Sequence, residues 1–133
     1  MKYRPMLELV RALRSGRFTQ ARNALRTTKG KGKGKGKGKG KRQHSYCCLG
    51  VACVVAGVKF DKENAVKGTS NEGYLPERAM DYFGFGSTSG APTDGWRIEV
   101  AGRQWASLIQ ANDSSCCTFD QIADAIKANW RRL

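Results

Sequence analysis

Tyr46-Cys47-Cys48-Leu49-Gly50-Val51-Ala52-Cys53-Val54-Val55-Ala56-Gly57-Val58 is the most apolar stretch of the chain, and its reading decides the fold. Leu49, Val51, Ala52, Val54, Val55 and Ala56 leave almost no polar face, so this segment belongs at the centre of the core. Ser45 can serve as an N-cap and Gly57 as the left-handed residue that closes a helix, so the pattern predicts a helix over about 46–56. Its β-branched valines also suit a buried strand.

The flanking segments supply the partners for this element. Pro5 suits a first helical turn, and Leu7, Val10 and Leu13, with Met6, line one face until Ser15-Gly16, which predicts a first helix over about 5–14. Phe18 to Leu25 has an ambiguous period that fits a strand or a short helix. Pro76 to Phe83 reads as a brief helix opened by proline, and Gly84 to Gly90 as a flexible loop and internal hinge. Trp96, Ile98 and Val100 alternate with Arg97 and Glu99, as in a half-buried strand, and Gln104 to Ala111 carries Trp105, Leu108 and Ile109 at helical spacing. Asn112-Asp113-Ser114-Ser115 is expected to break that helix. Thr118 and Gln121 form a capping box, and Phe119, Ile122, Ala123, Ile126 and Trp130 make the apolar stripe of a last helix over about 119–131. That stripe is expected to cover the Tyr46–Ala56 element. The sum is one small α+β domain over 1–133, mostly helical with a minor β component, large enough to bury a core without disulfide or metal.

Charge divides the chain unevenly. Residues 1–46 hold fifteen Lys and Arg against Glu8, a net +14, whereas residues 47–133 hold nine against ten acids, a net −1. A field so lopsided attracts phosphate backbones and speeds encounter with them without specifying a base sequence. Lys29 to Lys41 alternates strictly with glycine and has nothing apolar to bury, so it is expected to be a mobile loop inside the domain, extended by like-charge repulsion. Alternating glycines would let each ammonium reach a phosphate; the competing reading is an inert low-complexity insertion or a linker. The basic bias continues beyond the repeat. Arg11, Arg14, Arg17, Arg22, Arg26, Lys29, Lys31, Lys33, Lys35, Lys37, Lys39, Lys41 and Arg42 are therefore the candidate nucleic-acid contacts.

No stretch approaches the roughly 18 apolar residues needed to cross a bilayer, and the amino terminus lacks a signal-peptide core. A membrane partner is not expected, and a cytoplasmic setting is. Five cysteines, Cys47, Cys48, Cys53, Cys116 and Cys117, are an odd count that suits reduced thiols better than a disulfide framework. Cys47 and Cys48 fall at a predicted helix start with His44 nearby, which makes a thiol nucleophile conceivable, but no carboxylate partner is evident. Zinc ligands drawn from His44, Cys47 or Cys48, Cys53, and Cys116 or Cys117 lack the spacing of structural zinc sites, so no metal or cofactor is assigned. The helix, break and helix around 104–131 have the outline of a helix-turn-helix. The second helix is acidic at Asp120 and Asp124, however, and shows no base-reading residues, so a plain helical hairpin accounts for it.

Tyr46-Cys47-Cys48-Leu49-Gly50-Val51-Ala52-Cys53, Tyr74-Leu75-Pro76, Leu108 with Asn112-Asp113, and Thr118-Phe119 with Ile122-Ala123-Asp124 and Ile126 occur in an order that resembles a family of small uncharacterised phage-encoded proteins. The resemblance spans roughly residues 5–130. It implies a viral origin and a host-cytoplasmic setting rather than an activity. Cys116-Cys117 and the Lys-Gly repeat depart from that pattern.

The function expected from these features is that of a phage-type accessory protein binding DNA or RNA without sequence preference through its basic N-terminal face. The alternative is an inhibitor of a host or defence protein, acting through the Phe83–Pro92 loop or through Tyr74, Tyr82 and Phe85. A cysteine-dependent enzyme is the third reading.

Overall fold

A computed structural model describes residues 1–29, 42–66 and 73–133. The elements run α1 (Tyr3–Arg14), β1 (Thr19–Gln20), β2 (Arg26–Lys29), β3 (Gln43–Tyr46), α2 (Cys48–Val55), α3 (Glu77–Phe83), β4 (Ile98–Val100), β5 (Arg103–Trp105), α4 (Leu108–Asp113) and α5 (Phe119–Asn129). This is a small, mostly helical α+β domain. The part of the Lys-Gly repeat after Lys29 lies outside the described residues.

The apolar stretch forms the central helix, with Cys48, Leu49, Val51, Ala52 and Cys53 no more than 1% exposed. It starts later than its pattern predicts. Cys47 is the N-cap, its Sγ accepting a hydrogen bond from Gly50 N at 3.3 Å, while Ser45 sits in β3. Ladder bonds to the strands on either side occupy the backbone at 43–46, and this pairing displaces the predicted cap. Gly57, at φ +70°, closes the helix as its position predicts.

Gly50 marks a close approach. A Cβ there would lie 1.8 Å from the carbonyl oxygen of Leu25, which also accepts a hydrogen bond from Cys47 N at 3.1 Å. Glycine is thus what lets the chain entering β2 lie directly on α2. The ambiguous segment 18–25 proves to be a two-residue strand followed by irregular chain. β1 pairs parallel to β3, with Thr19 opposite Ser45, and β2 pairs antiparallel to it, giving the order β1-β3-β2.

α1 buries Met6, Leu9, Val10 and Leu13 and begins two residues before the expected start, leaving Pro5 in the first turn, where its missing N–H costs no helical bond. α5 has the predicted capping box, with Thr118 N donating to Gln121 Oε1 at 2.9 Å. Its buried face, Phe119, Ile122, Ala123, Ala125 and Ile126, packs chiefly on α1 and β4 rather than on α2. α1 touches both α2 and α5 and takes up the stripe that was expected to cover α2. Tyr3 meets Trp130 at 5.4 Å between ring centroids, joining the start of α1 to the end of α5.

Two further expectations change. Gln104 and Trp105 belong to β5 instead of a helix, because Ala101 (φ +54°) and Gly102 (φ +73°) form a two-residue turn that pairs Val100 with Arg103. α4 then starts at Leu108 behind the Ser107 cap, and Asn112-Asp113 form its last turn rather than a break. The Gly84–Gly90 loop is no free hinge: Phe85 is buried, Gly86 N donates to Leu133 O at 2.8 Å, and Leu75 N donates to Thr88 O at 2.9 Å.

Candidate nucleic-acid interface

Strand alternation builds a cationic concavity. In the β2–β3 register Arg26 faces Tyr46 and Thr28 faces His44, so these four residues share one side of the ladder. With Arg42, Phe60, Asp61 and Lys62, the residues Arg26, Thr28 and His44 line a groove of about 640 Å³. Three cations there face one carboxylate.

The groove is held by a polar network. Arg26 lies over the Phe60 ring, 4.7 Å from its centroid, and donates from Nε to Asn64 Oδ1 at 2.9 Å and from Nη2 to the Asp61 carbonyl. An arginine has five N–H donors, so donors remain for an anion. The Arg26 bond fixes which end of the Asn64 amide is oxygen, and Thr28 Oγ1 donates its one proton to that oxygen at 2.5 Å. His44 Nδ1, 2.9 Å from Thr28 Oγ1, must then be the donor, which leaves Nε2 to accept or, when protonated, to donate. Tyr46, on the same side of the ladder, packs behind Phe60 at 6.0 Å and against Phe18 at 5.4 Å between centroids.

Of the residues expected from sequence, Arg26 and Arg42 line this groove, whereas Lys29 ends β2 opposite Gln43 on the other side of the ladder. The ladder therefore brings the two flanks of the Lys-Gly repeat side by side. Lys31, Lys33, Lys35, Lys37, Lys39 and Lys41 lie outside the described residues. Arg11 and Arg14 are exposed in the last turn of α1, where Arg14 pairs with Asp124; Arg17 is exposed beyond it. Arg22 is exposed and donates from Nε to Ser114 O at 3.1 Å. These four are spread over other elements and do not join the groove. Thr28, His44, Phe60 and Lys62 were missed as groove residues. The period-2 match between Arg26-x-Thr28 and His44-x-Tyr46 was the signal for two of them; Phe60 and Lys62 carry no local one.

Asn112 positions this region from below. It is fully buried, accepts from Cys48 N at 3.0 Å and Gln20 Nε2 at 3.2 Å, and donates to Ala21 O at 2.9 Å. Asp113 accepts from Asn23 N at 2.8 Å. The Asn-Asp pair ties the basic segment to α2 and α4.

The fold buries the candidate thiols of the central helix. Cys47, Cys48 and Cys53 are buried; burial pushes Cys47 up to about 11, Cys53 up to about 12 and Cys48 well above the ordinary thiol value. His44, the proposed base, is engaged through Nδ1 with Thr28. Among the described residues no group of three or more His, Cys, Asp and Glu is arranged to hold a metal ion. Among those residues, too, no helix is long and apolar enough to cross a membrane. Phe85 is buried, so it cannot join Tyr74 and Tyr82 in an aromatic surface.

Searches against protein-family models, curated proteins and solved structures find no match to this chain.

Proposed function

We propose that the chain is a small phage-type accessory protein that binds nucleic acid through phosphate contacts without sequence preference. The observation that carries this reading is the groove that gathers Arg26, Arg42 and Lys62 around one carboxylate, built on the β2–β3 ladder whose Lys29–Gln43 pair brings the two flanks of the Lys-Gly repeat together. Cations at the mouth of the groove meet the backbone, and the Arg26 fork, His44 and Thr28 offer hydrogen bonds to phosphate or sugar oxygens. None of these groups has the geometry of a base-reading helix, so affinity should follow charge density and salt rather than sequence.

The test is co-purification followed by nuclease. Freshly isolated protein should carry an absorbance excess near 260 nm, the usual nucleic-acid maximum, that nuclease removes, and the stripped protein should rebind unrelated oligonucleotides with similar affinity. Protein that emerges free of nucleic acid at low salt and fails to bind any oligonucleotide contradicts the proposal. A stoichiometric host protein that survives nuclease and high salt would favour the inhibitor reading instead.

A further inference from the structure

The exposed thiol lies in the other cysteine pair. Cys47, Cys48, Cys53 and Cys117 are buried, whereas Cys116 is exposed in the turn between α4 and α5. Ser114 Oγ accepts a hydrogen bond from Cys116 N at 3.2 Å and lies 2.7 Å from Cys116 Sγ, within hydrogen-bonding reach of the sulfur. Arg103 Nη1, from β5, lies 3.7 Å from the same sulfur. Cys117 Sγ lies 4.0 Å from the same Ser114 hydroxyl, which places both thiols around one oxygen. The pair stands immediately before Thr118, the N-cap of α5. A sulfur that sits against a hydroxyl, faces a guanidinium and remains open to solvent has the surroundings of a reactive thiol. The Ser114 hydrogen bond first, then contact with Cys117 and the Arg103 charge, hold the Cys116 thiol below its ordinary value, while burial pushes Cys117 up.

We propose that Cys116 is a nucleophilic thiol that reacts with hydroperoxides, and that Cys117 captures the product as a disulfide between neighbouring residues. The Cys116 thiolate, its proton released to solvent, attacks one peroxide oxygen; an S–O bond forms, the O–O bond breaks, and the departing hydroxide or alkoxide takes up that proton from solvent. Sulfur is oxidised by two electrons to the sulfenic acid, and the peroxide is reduced by the same two. The Cys117 sulfur then attacks the Cys116 sulfur. The S–S bond forms, the S–O bond breaks, and the hydroxide leaves as water with the proton that Cys117 gives up. Each cycle consumes one peroxide and two thiols, and a dithiol reductant restores the starting state. The proposal does not depend on nucleic-acid binding, since none of its groups lines the groove.

The experiment treats the full chain and its Cys116→Ser, Cys117→Ser and Arg103→Gln variants with substoichiometric hydrogen peroxide near neutral pH, read by intact mass and peptide mapping. The full chain should lose two hydrogens, mapped to a Cys116–Cys117 link, at least about tenfold faster than glutathione reacts under the same conditions, as a lowered thiol value allows. Cys117→Ser should instead gain one oxygen at Cys116 and be trapped there by dimedone. Arg103→Gln should slow the reaction severalfold, and Cys116→Ser should stay unmodified at the same dose. Oxidation spread over Cys47, Cys48 and Cys53, a rate no faster than glutathione's, or equal oxidation of Cys116→Ser would overturn the assignment. A sulfenic acid that persists in the full chain would overturn capture by Cys117, and an unchanged rate in Arg103→Gln would overturn activation by the guanidinium.

Discussion

Replacing Gly50 with alanine puts a methyl carbon where Leu25 already is. The new Cβ would lie 1.8 Å from the Leu25 carbonyl oxygen and 2.7 Å from its carbon, both backbone atoms that no rotamer change can move. Leu25 would have to retreat by more than about 1 Å to reach ordinary contact distance, and it is itself only 3% exposed. That retreat also breaks the bond from Cys47 N to Leu25 O. Overpacking costs about 1–3 kcal/mol, and a buried amide left unpaired costs about 1–3 kcal/mol. Alanine regains about 1 kcal/mol through its better helix propensity. Their balance is a net loss of about 3 kcal/mol, inside a range of about 1–5. Equilibrium unfolding in urea, followed by circular dichroism, should show a lowered midpoint at unchanged slope. Gly73→Ala is the control: nothing lies within 4 Å of its Cβ position, and stability should stay within about 0.5 kcal/mol. A neutral or stabilising Gly50→Ala would mean that the chain entering β2 does not rest on α2, and the groove built on β2 would lose its footing.

Ile122 is fully buried, so Ile122→Ala should cost about 2–5 kcal/mol by urea unfolding, while exposed Lys127→Ala should be nearly silent. Asn112→Leu should cost about 2–5 kcal/mol in the same assay, because it strands the buried Cys48 N and Ala21 O at once and leaves Gln20 Nε2 only its bond to Cys117 O. Folded-state values for Cys47, Cys48 and Cys53 are all raised, to about 11 for Cys47 and about 12 for Cys53. The native state therefore holds thiol protons that the unfolded chain releases from about pH 8.5. These three thiols should add no pH dependence below that pH and should lower stability steadily from there toward about pH 11; a urea midpoint constant from pH 8 to pH 10.5 would contradict their burial.

Long-range periodicity made the helices legible, and local chemistry outside the common signals hid the rest. The stripes of α1 and α5 and the Thr118 capping box could be read directly, since each lies within one segment. The Ser45 cap failed because an N-cap residue is also an ordinary strand residue, and the pairing of β3 with Arg26–Lys29 is settled by chain far away in sequence. Ala101-Gly102 turns a hairpin with an alanine at positive φ, where Asn-Gly is the recognisable signal, so β5 read as the start of a helix. At the candidate interface, charge composition pointed to Arg26 and Arg42 but scored every cation alike. It could not show that Arg14 is paired with Asp124 or that Arg22 is spent on Ser114, because those partners lie about a hundred residues away. Buried Asn112 looked like a helix breaker for the same reason: three of its four hydrogen bonds are to residues that only the fold assembles.

Because Lys29 pairs with Gln43, replacing residues 30–42 by Asn-Gly should close β2–β3 with a two-residue turn while removing Lys31, Lys33, Lys35, Lys37, Lys39, Lys41 and Arg42. The decisive measurement is the slope of log affinity against log salt for this variant and the intact chain on an unrelated single-stranded oligonucleotide. If all the deleted cations meet phosphates, the slope should flatten by up to about 5, from about 0.7 per contact, while the urea midpoint stays close to that of the intact protein. Equal slopes, or no binding by the intact chain at low salt, would contradict the account.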